Sequence, residues 1–262
     1  MYQYEENDHI YDDAYIKKLD IIEDFVKDQQ VTDPTIMLDQ TDVYNSTKIE
    51  GNLLAKDQVG QFLENDVTVR GVPLRDFIQI KNYNIALDAV KEELLPVTHL
   101  TEEFICGVHY MITCGELPEA GQYRDDFVHI RTTNTVPPEP GLVPELMAEL
   151  IDRYNTGITD PARSKFEVIC EFKRNFERIH PFFDGNGRTG RLIMNAMFLS
   201  NGYPCITIPA ELRPEYFDAL ENNTLCSFLA DRMLETMEKT LEYSIEKEQD
   251  TLEPDECEQE IE

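Results

Sequence analysis

The chain has 262 residues, with 52 acidic against 23 basic and a formal net charge of -29. That balance excludes nucleic acid and anionic membrane surfaces as main partners, because phosphate-rich surfaces need surplus Lys and Arg. The chain is nonetheless 41% hydrophobic and 10% aromatic, enough for a buried core. Much of the charge sits at the ends. Residues 1–16 hold five carboxylates and no cation, and residues 246–262 hold nine carboxylates and one Lys. We read residues 246–262 as an acidic, disordered tail. No window is long and apolar enough for a membrane span, the N-terminus lacks signal-peptide features, and the six cysteines form no CxxC pair. A cytoplasmic protein is expected.

Taken in chain order, Tyr15, Leu19, Ile22 and Val26 form one apolar face of a first helix after Asp13. A second segment starts at Thr32-Asp33-Pro34, and a third runs from about Asp42 to near Gly51. Longer helices are expected over 75–94 and 101–114. Phe127–Arg131 reads as the one strand run, with Thr132-Thr133-Asn134-Thr135 returning from it, so a small hairpin is predicted over about 125–137. Helices over about 142–154, 163–179, 188–200 and 214–246 complete a mainly α fold.

The chemistry concentrates in His180-Pro181-Phe182-Phe183-Asp184-Gly185-Asn186-Gly187-Arg188-Thr189-Gly190-Arg191. Pro181 disfavours helical backbone at His180 and stops the preceding helix there. Gly185 and Gly187 let backbone N–H groups approach an anion where the next helix begins. Arg188 and Arg191 are one helical turn apart, and Asp184 is a hard oxygen donor suited to Mg²⁺. His180 is a proton acceptor near neutral pH. Residues 171–191 hold five basic and three acidic side chains, a positive island in an acidic chain. Base, metal ligand, anion hole and charge clamps are the parts for phosphoryl or nucleotidyl transfer. Cys106-x-x-His109 with Cys114 resembles a zinc site only faintly, since no fourth ligand is evident.

The segment resembles the signature of the Fic-domain family, His-x-Phe-x-(Asp/Glu)-Gly-Asn-Gly-Arg-x-x-Arg, at every position. That resemblance implies a Fic-type helical bundle with a β-hairpin flap, and transfer of AMP from ATP to a Ser, Thr or Tyr hydroxyl of a protein. It implies His180 as the base, Asp184 as the Mg²⁺ ligand, and Gly185, Asn186 and Gly187 around the α-phosphate. Arg188 would bind the phosphate chain and Arg191 the γ-phosphate. Gly121-Gln122-Tyr123-Arg124 resembles the approach to the family's flap. His129, Ile130, Thr132, Thr133, Asn134 and Thr135 would then dock a target segment by strand-like pairing. Tyr216, Phe217 and Asn223 resemble residues lining the adenine pocket.

Ser46-x-x-x-Glu50-Gly51 resembles the family's inhibitory motif, in the class that carries it on an N-terminal helix. Glu50 would pair with Arg191 and remove the partner of the γ-phosphate, with Ser46 bonding nearby. The implied organisation is an N-terminal helical region over 1–95 with the inhibitory helix at about 42–56. A catalytic core over 96–212 and a helix over 213–245 lining the nucleotide site follow. Removal of AMP by the same site, transfer of another nucleotide, and an idle peptide-binding module are the alternatives. Partners implied are ATP, a target protein or the chain itself, and a second copy as a homodimer.

Overall fold

The computed structural model describes residues 13–28, 34–92, 97, 99–130 and 135–252. Among these, ten α-helices and two short 3-10 turns account for the regular structure. Helix α1 covers Asp13–Lys27, α2 Gln40–Ile49, α3 Lys56–Asn65, α4 Leu74–Lys91 and α5 Glu102–Thr113. Then α6 covers Val143–Gly157, α7 Lys165–Ile179, α8 Asn186–Ser200, α9 Arg213–Glu221 and α10 Leu225–Leu252. No helix among the described residues is long and apolar enough to cross a membrane.

Local chemistry fixes the helix starts. Asp39 accepts the Thr41 and Asp42 N–H groups at the head of α2, Thr101 accepts that of Phe104 before α5, and Ser164 that of Glu167 before α7. Helix α8 runs through the middle. Leu192, Ile193, Met197 and Phe198 are all fully buried. It packs against α7, α5, α4 and α2, so its N-terminus lies where four other helices converge. Helix α1 lies along α10, with Lys18 and Asp231 paired at 2.5 Å.

Four expectations need correction. The helix expected at about 42–56 ends at Ile49, and a separate helix, α3, begins at Lys56, where Gln58 accepts the Ala55 N–H at 2.9 Å. The expected helix over 214–246 is two helices, broken where Asn223 takes a left-handed φ of 59°. Asn tolerates that region through its short polar side chain. Helix α10 continues to Leu252, so residues 246–252, read as tail, are helical; residues 253–262 lie outside the described residues.

The fourth correction is the hairpin over 125–137. Residues 127–130 and 135–137 are irregular, and 131–134, which include Thr132, Thr133 and Asn134, lie outside the described residues. The base of the segment is closed by a side chain instead of a ladder among the described residues. Buried Arg124 donates to Asp126 O at 3.0 Å and to Pro138 O at 2.7 Å, tying both arms together.

Candidate active site

Helix α7 ends at His180, whose backbone is left-handed at φ 52°. The turn is held from outside. Arg124 donates through Nε to His180 O at 2.8 Å, and the Arg124 N–H donates to Pro181 O at 2.9 Å. His180 Nδ1 lies 3.3 Å from Glu177 O. A carbonyl only accepts, so Nδ1 carries the proton and Nε2 keeps a free lone pair. Burial pushes the imidazole below its ordinary value, against the raising effect of Glu177, which keeps it neutral at pH 7.

The loop to α8 is closed by Asn186. Its side chain accepts the Phe182 N–H at 2.9 Å and donates to Phe182 O at 2.8 Å. Asn186 can therefore offer a ligand its backbone N–H but not its amide. Gly185 has a φ of 79°, and a Cβ there would lie 2.7 Å from Thr113 Cγ2, so both backbone and space demand glycine. The first-turn N–H groups of α8 lack intrahelical acceptors and face outward as an anion site.

A carboxylate already stands at that site. Glu50 Oε1 lies 2.8 Å from Arg191 Nη1. A Cβ built on Gly187 would overlap the same carboxylate. Arg191 also donates through Nε to Ser46 Oγ at 3.0 Å and through Nη2 to Ser46 O at 2.7 Å. Ser46 thus bonds Arg191, the partner of Glu50. Arg191 is 4% exposed, and its guanidinium carbon sits 6.0 Å from the centre of the Tyr216 ring.

Arg188 is equally committed. It forms a two-point pair with Glu116, at 2.9 and 3.2 Å, and both side chains are buried. Asp184 accepts the Gly185 N–H through Oδ1 at 2.6 Å and pairs through Oδ2 with Arg75. Burial raises its pKa, but Arg188, the Gly185 N–H and Arg75 together carry it below the usual carboxylate value. It is an ionised, half-exposed oxygen donor. No group of three or more His, Cys, Asp or Glu that could hold a metal occurs among the described residues. A single carboxylate completed by phosphate oxygens and water is the donor set that suits Mg²⁺.

Sequence reasoning assigns no role in this site to four residues that build it. Arg75 and Glu116 reach it from α4 and from the turn after α5. Arg124 holds the His180–Pro181 turn. His109 stacks flat on Phe182, with ring centres 3.7 Å apart, and supports the loop through Asp184 O at 2.9 Å. Its other nitrogen accepts the Gly121 N–H at 2.8 Å, so both ring nitrogens are used within the protein and the faint zinc pattern dissolves. Among the remaining expected residues, Tyr216 is 1% exposed and belongs to the core. Phe217 lies 4.8 Å beneath the Arg213 guanidinium. Asn223 Oδ1 is buried and has no hydrogen-bond partner. His129 is exposed, while Ile130 and Thr135 are half-buried.

Residues 99–198 match the model of the Fic/DOC family, a span that contains the whole loop, all of α7 and all but the last two residues of α8. The chain carries a Fic domain. Curated relatives include the protein adenylyltransferase Fic of Drosophila willistoni, 30% identical over 181 residues, covering 68% of this chain and 36% of the relative. The protein adenylyltransferase fic-1 of Caenorhabditis briggsae is 32% identical over 184 residues, covering 68% and 35%. The chain thus spans about a third of the length of the curated relatives it matches. Among solved structures, a Fic domain containing signaling protein from Bacteroides thetaiotaomicron superposes with a TM-score of 0.73 at 24% identity, covering 86% of this chain and 96% of the other. Fic-1 from C. elegans gives 0.74 at 22%, covering 88% and 73%. Both likenesses establish the helical Fic fold.

Proposed function

We propose that this chain is a protein adenylyltransferase of the Fic type, held in check by its own Glu50. The observation that carries the reading is the Glu50 carboxylate seated between Arg191 and Gly187 at the head of α8. A carboxylate there marks an anion site and at the same time blocks it.

In the active arrangement Glu50 withdraws and the polyphosphate of ATP takes its place. Arg191 then binds the γ-phosphate, and the N–H groups of Gly185, Asn186 and Gly187 hold the α-phosphate as charge builds on it. Arg188, buried on Glu116, supplies fixed positive charge behind the phosphate chain. Asp184 is the residue to hold Mg²⁺, which when bound would neutralise phosphate charge. His180 Nε2 takes the proton from a target Ser, Thr or Tyr hydroxyl, whose oxygen attacks the α-phosphorus. The bond to the β-phosphate oxygen breaks and pyrophosphate leaves. With Glu50 in place, ATP is denied Arg191 and its α-phosphorus is misaligned for that attack, and small misplacement costs much rate.

Residues 125–137 are proposed to dock the target. They adjoin His180 through Arg124, and Phe127 and Val136 are 71% and 85% exposed at their two arms. The partners proposed are ATP, a target protein or the chain itself, and a second copy of the chain as a homodimer; the setting proposed is the cytoplasm.

The test is mass spectrometry of Glu50→Gly after incubation with ATP and Mg²⁺. AMP on this chain or on an added protein, greater than for wild type and absent in Glu50→Gly/His180→Ala, is the expected result. No nucleotide transfer by Glu50→Gly would overturn the reading in favour of a binding module.

A further inference from the structure

The expected metal ligand does not stand free. Asp184 Oδ2 is paired with the Arg75 guanidinium, which approaches from the first turn of α4. Arg75 is held in that position by Glu116, whose Oε1 accepts its Nε–H at 2.7 Å. Glu116 is itself immobile. It is buried, bridged at two points by Arg188, and accepts a further hydrogen bond from Gln79 at 2.5 Å. The four charges therefore alternate in a chain, Asp184, Arg75, Glu116 and Arg188. Glu116 and Arg188 are fixed by the core, Asp184 is tied to the loop through the Gly185 N–H, and Arg75, with its side chain 54% exposed, is the one that can swing away.

We propose that Arg75 is a built-in counter-ion that competes with the divalent cation for Asp184. This rests on the reading of Asp184 as the metal ligand given above. A guanidinium on Oδ2 blocks the coordinating lone pairs and adds a positive charge within a few ångströms of any cation that approaches. Without nucleotide, the site then discriminates against metal. The phosphates of ATP, arriving with their own metal, outweigh one half-exposed ion pair, since such pairs are weak in water. Arg75 is thus a positioning residue that ties metal entry to nucleotide entry.

The experiment is Mn²⁺ titration of the nucleotide-free full chain, followed by electron paramagnetic resonance, for four proteins. These are wild type, Arg75→Ala, Arg75→Gln and Arg75→Ala/Asp184→Asn. Loss of the guanidinium is expected to tighten one site by about threefold to tenfold, the scale of one water-screened unit charge. The gain should vanish in the double variant, which separates it from Mn²⁺ held elsewhere on an acidic surface. Equal or weaker binding by both single variants, each with wild-type circular dichroism, would overturn the proposal. So would a gain that survives Asp184→Asn. Since no transfer reaction is measured, this failure is distinct from failure of Glu50→Gly to transfer AMP.

Discussion

Glu50 and Gly187 fit one another through the absence of a side chain. A Cβ on Gly187 would overlap the Glu50 carboxylate oxygen and stand 2.7 Å from its carboxyl carbon. Gly187 has an ordinary helical backbone, so the need for glycine comes from its neighbour and not from its own φ. Gly187→Ala should therefore cost about 1–3 kcal/mol by overpacking in wild type. In a Glu50→Gly background the overlapping carboxylate is gone, so the same substitution should cost at least about 1 kcal/mol less. Denaturant unfolding of the four proteins of this cycle measures the coupling. A cost unchanged by removal of Glu50 would show that the contact carries no energy.

Ser46 is the second hold that α2 has on Arg191, through one side-chain and one backbone hydrogen bond. Ser46→Ala removes the first and leaves the carbonyl. A hydrogen bond to a charged group is worth roughly 1.5–3 kcal/mol, partly recovered here by the surviving contacts. Auto-labelling with radioactive ATP should rise about fivefold, short of the rise in Glu50→Gly. A Ser46→Ala rate equal to wild type would confine the restraint to Glu50.

One turn before Ser46, Asp42 lies on the same face of α2 and is 3% exposed. Burial pushes its carboxyl up to about 7. The Thr207 hydroxyl, donating at 2.8 Å, the Arg191 charge and the Tyr83 hydroxyl at 3.4 Å pull it down, while Asp39 adds to the rise. An acid whose folded value exceeds its unfolded one keeps a proton that the unfolded chain has released. Its contribution to stability is greatest at low pH and declines as pH climbs from 3.8 to about 7, then levels. Asp42→Asn keeps an acceptor oxygen for the Thr207 hydroxyl, sets an NH2 toward the Tyr83 oxygen, and cannot ionise. It should match wild type near about pH 4 and exceed it by a few kcal/mol near about pH 8, on the scale of 1.36 kcal/mol per pH unit. Melting temperatures of the two proteins across that range provide the measurement. A gap that does not widen with pH would mean that Asp42 is ionised throughout.

The sequence discloses whatever this site keeps contiguous. His180 to Arg191 is one unbroken run, and both flanking helices show their apolar faces in plain periodicity, so loop and helices are read together. Glu50 is legible only through its spacing from Ser46 and its resemblance to a known motif. The contacts that Arg75, Glu116, His109 and Arg124 make with the loop are invisible for a physical reason. Each meets the loop across long separations in the chain, 109 residues for Arg75 and Asp184 and 75 for His109 and Asp184, and no local pattern records such a meeting. The irregular course of residues 127–130 escaped for a related reason. Their β-branched and aromatic character satisfies strand propensity, but a strand also needs a partner, and Arg124 closes the base of the segment instead.

His109 provides the last prediction. Gly121 donates an N–H to Nδ1, so the proton resides on Nε2 and is given to Asp184 O. This is the neutral ring, and burial, aided by the charge of Arg188, lowers its pKa to about 4. A second proton on Nδ1 would face the Gly121 N–H and break that bond. The folded chain therefore binds this proton later than the unfolded one. The stability it contributes is full above the ordinary imidazole value of 6.5 and is lost as pH falls toward about 4. His109→Phe keeps the stack on Phe182 but abandons both partners, at a cost of about 2 kcal/mol or more near neutral pH. The loss should shrink on acidification, where wild type forfeits the same interactions. The freed loop should also bind ATP more weakly in the Glu50→Gly background, although the ring lies behind the loop. Calorimetric melting against pH, with ATP titration at pH 7.5, tests both halves. A pH-independent loss would assign His109 to packing alone, and unchanged ATP affinity would remove it from the support of the anion site.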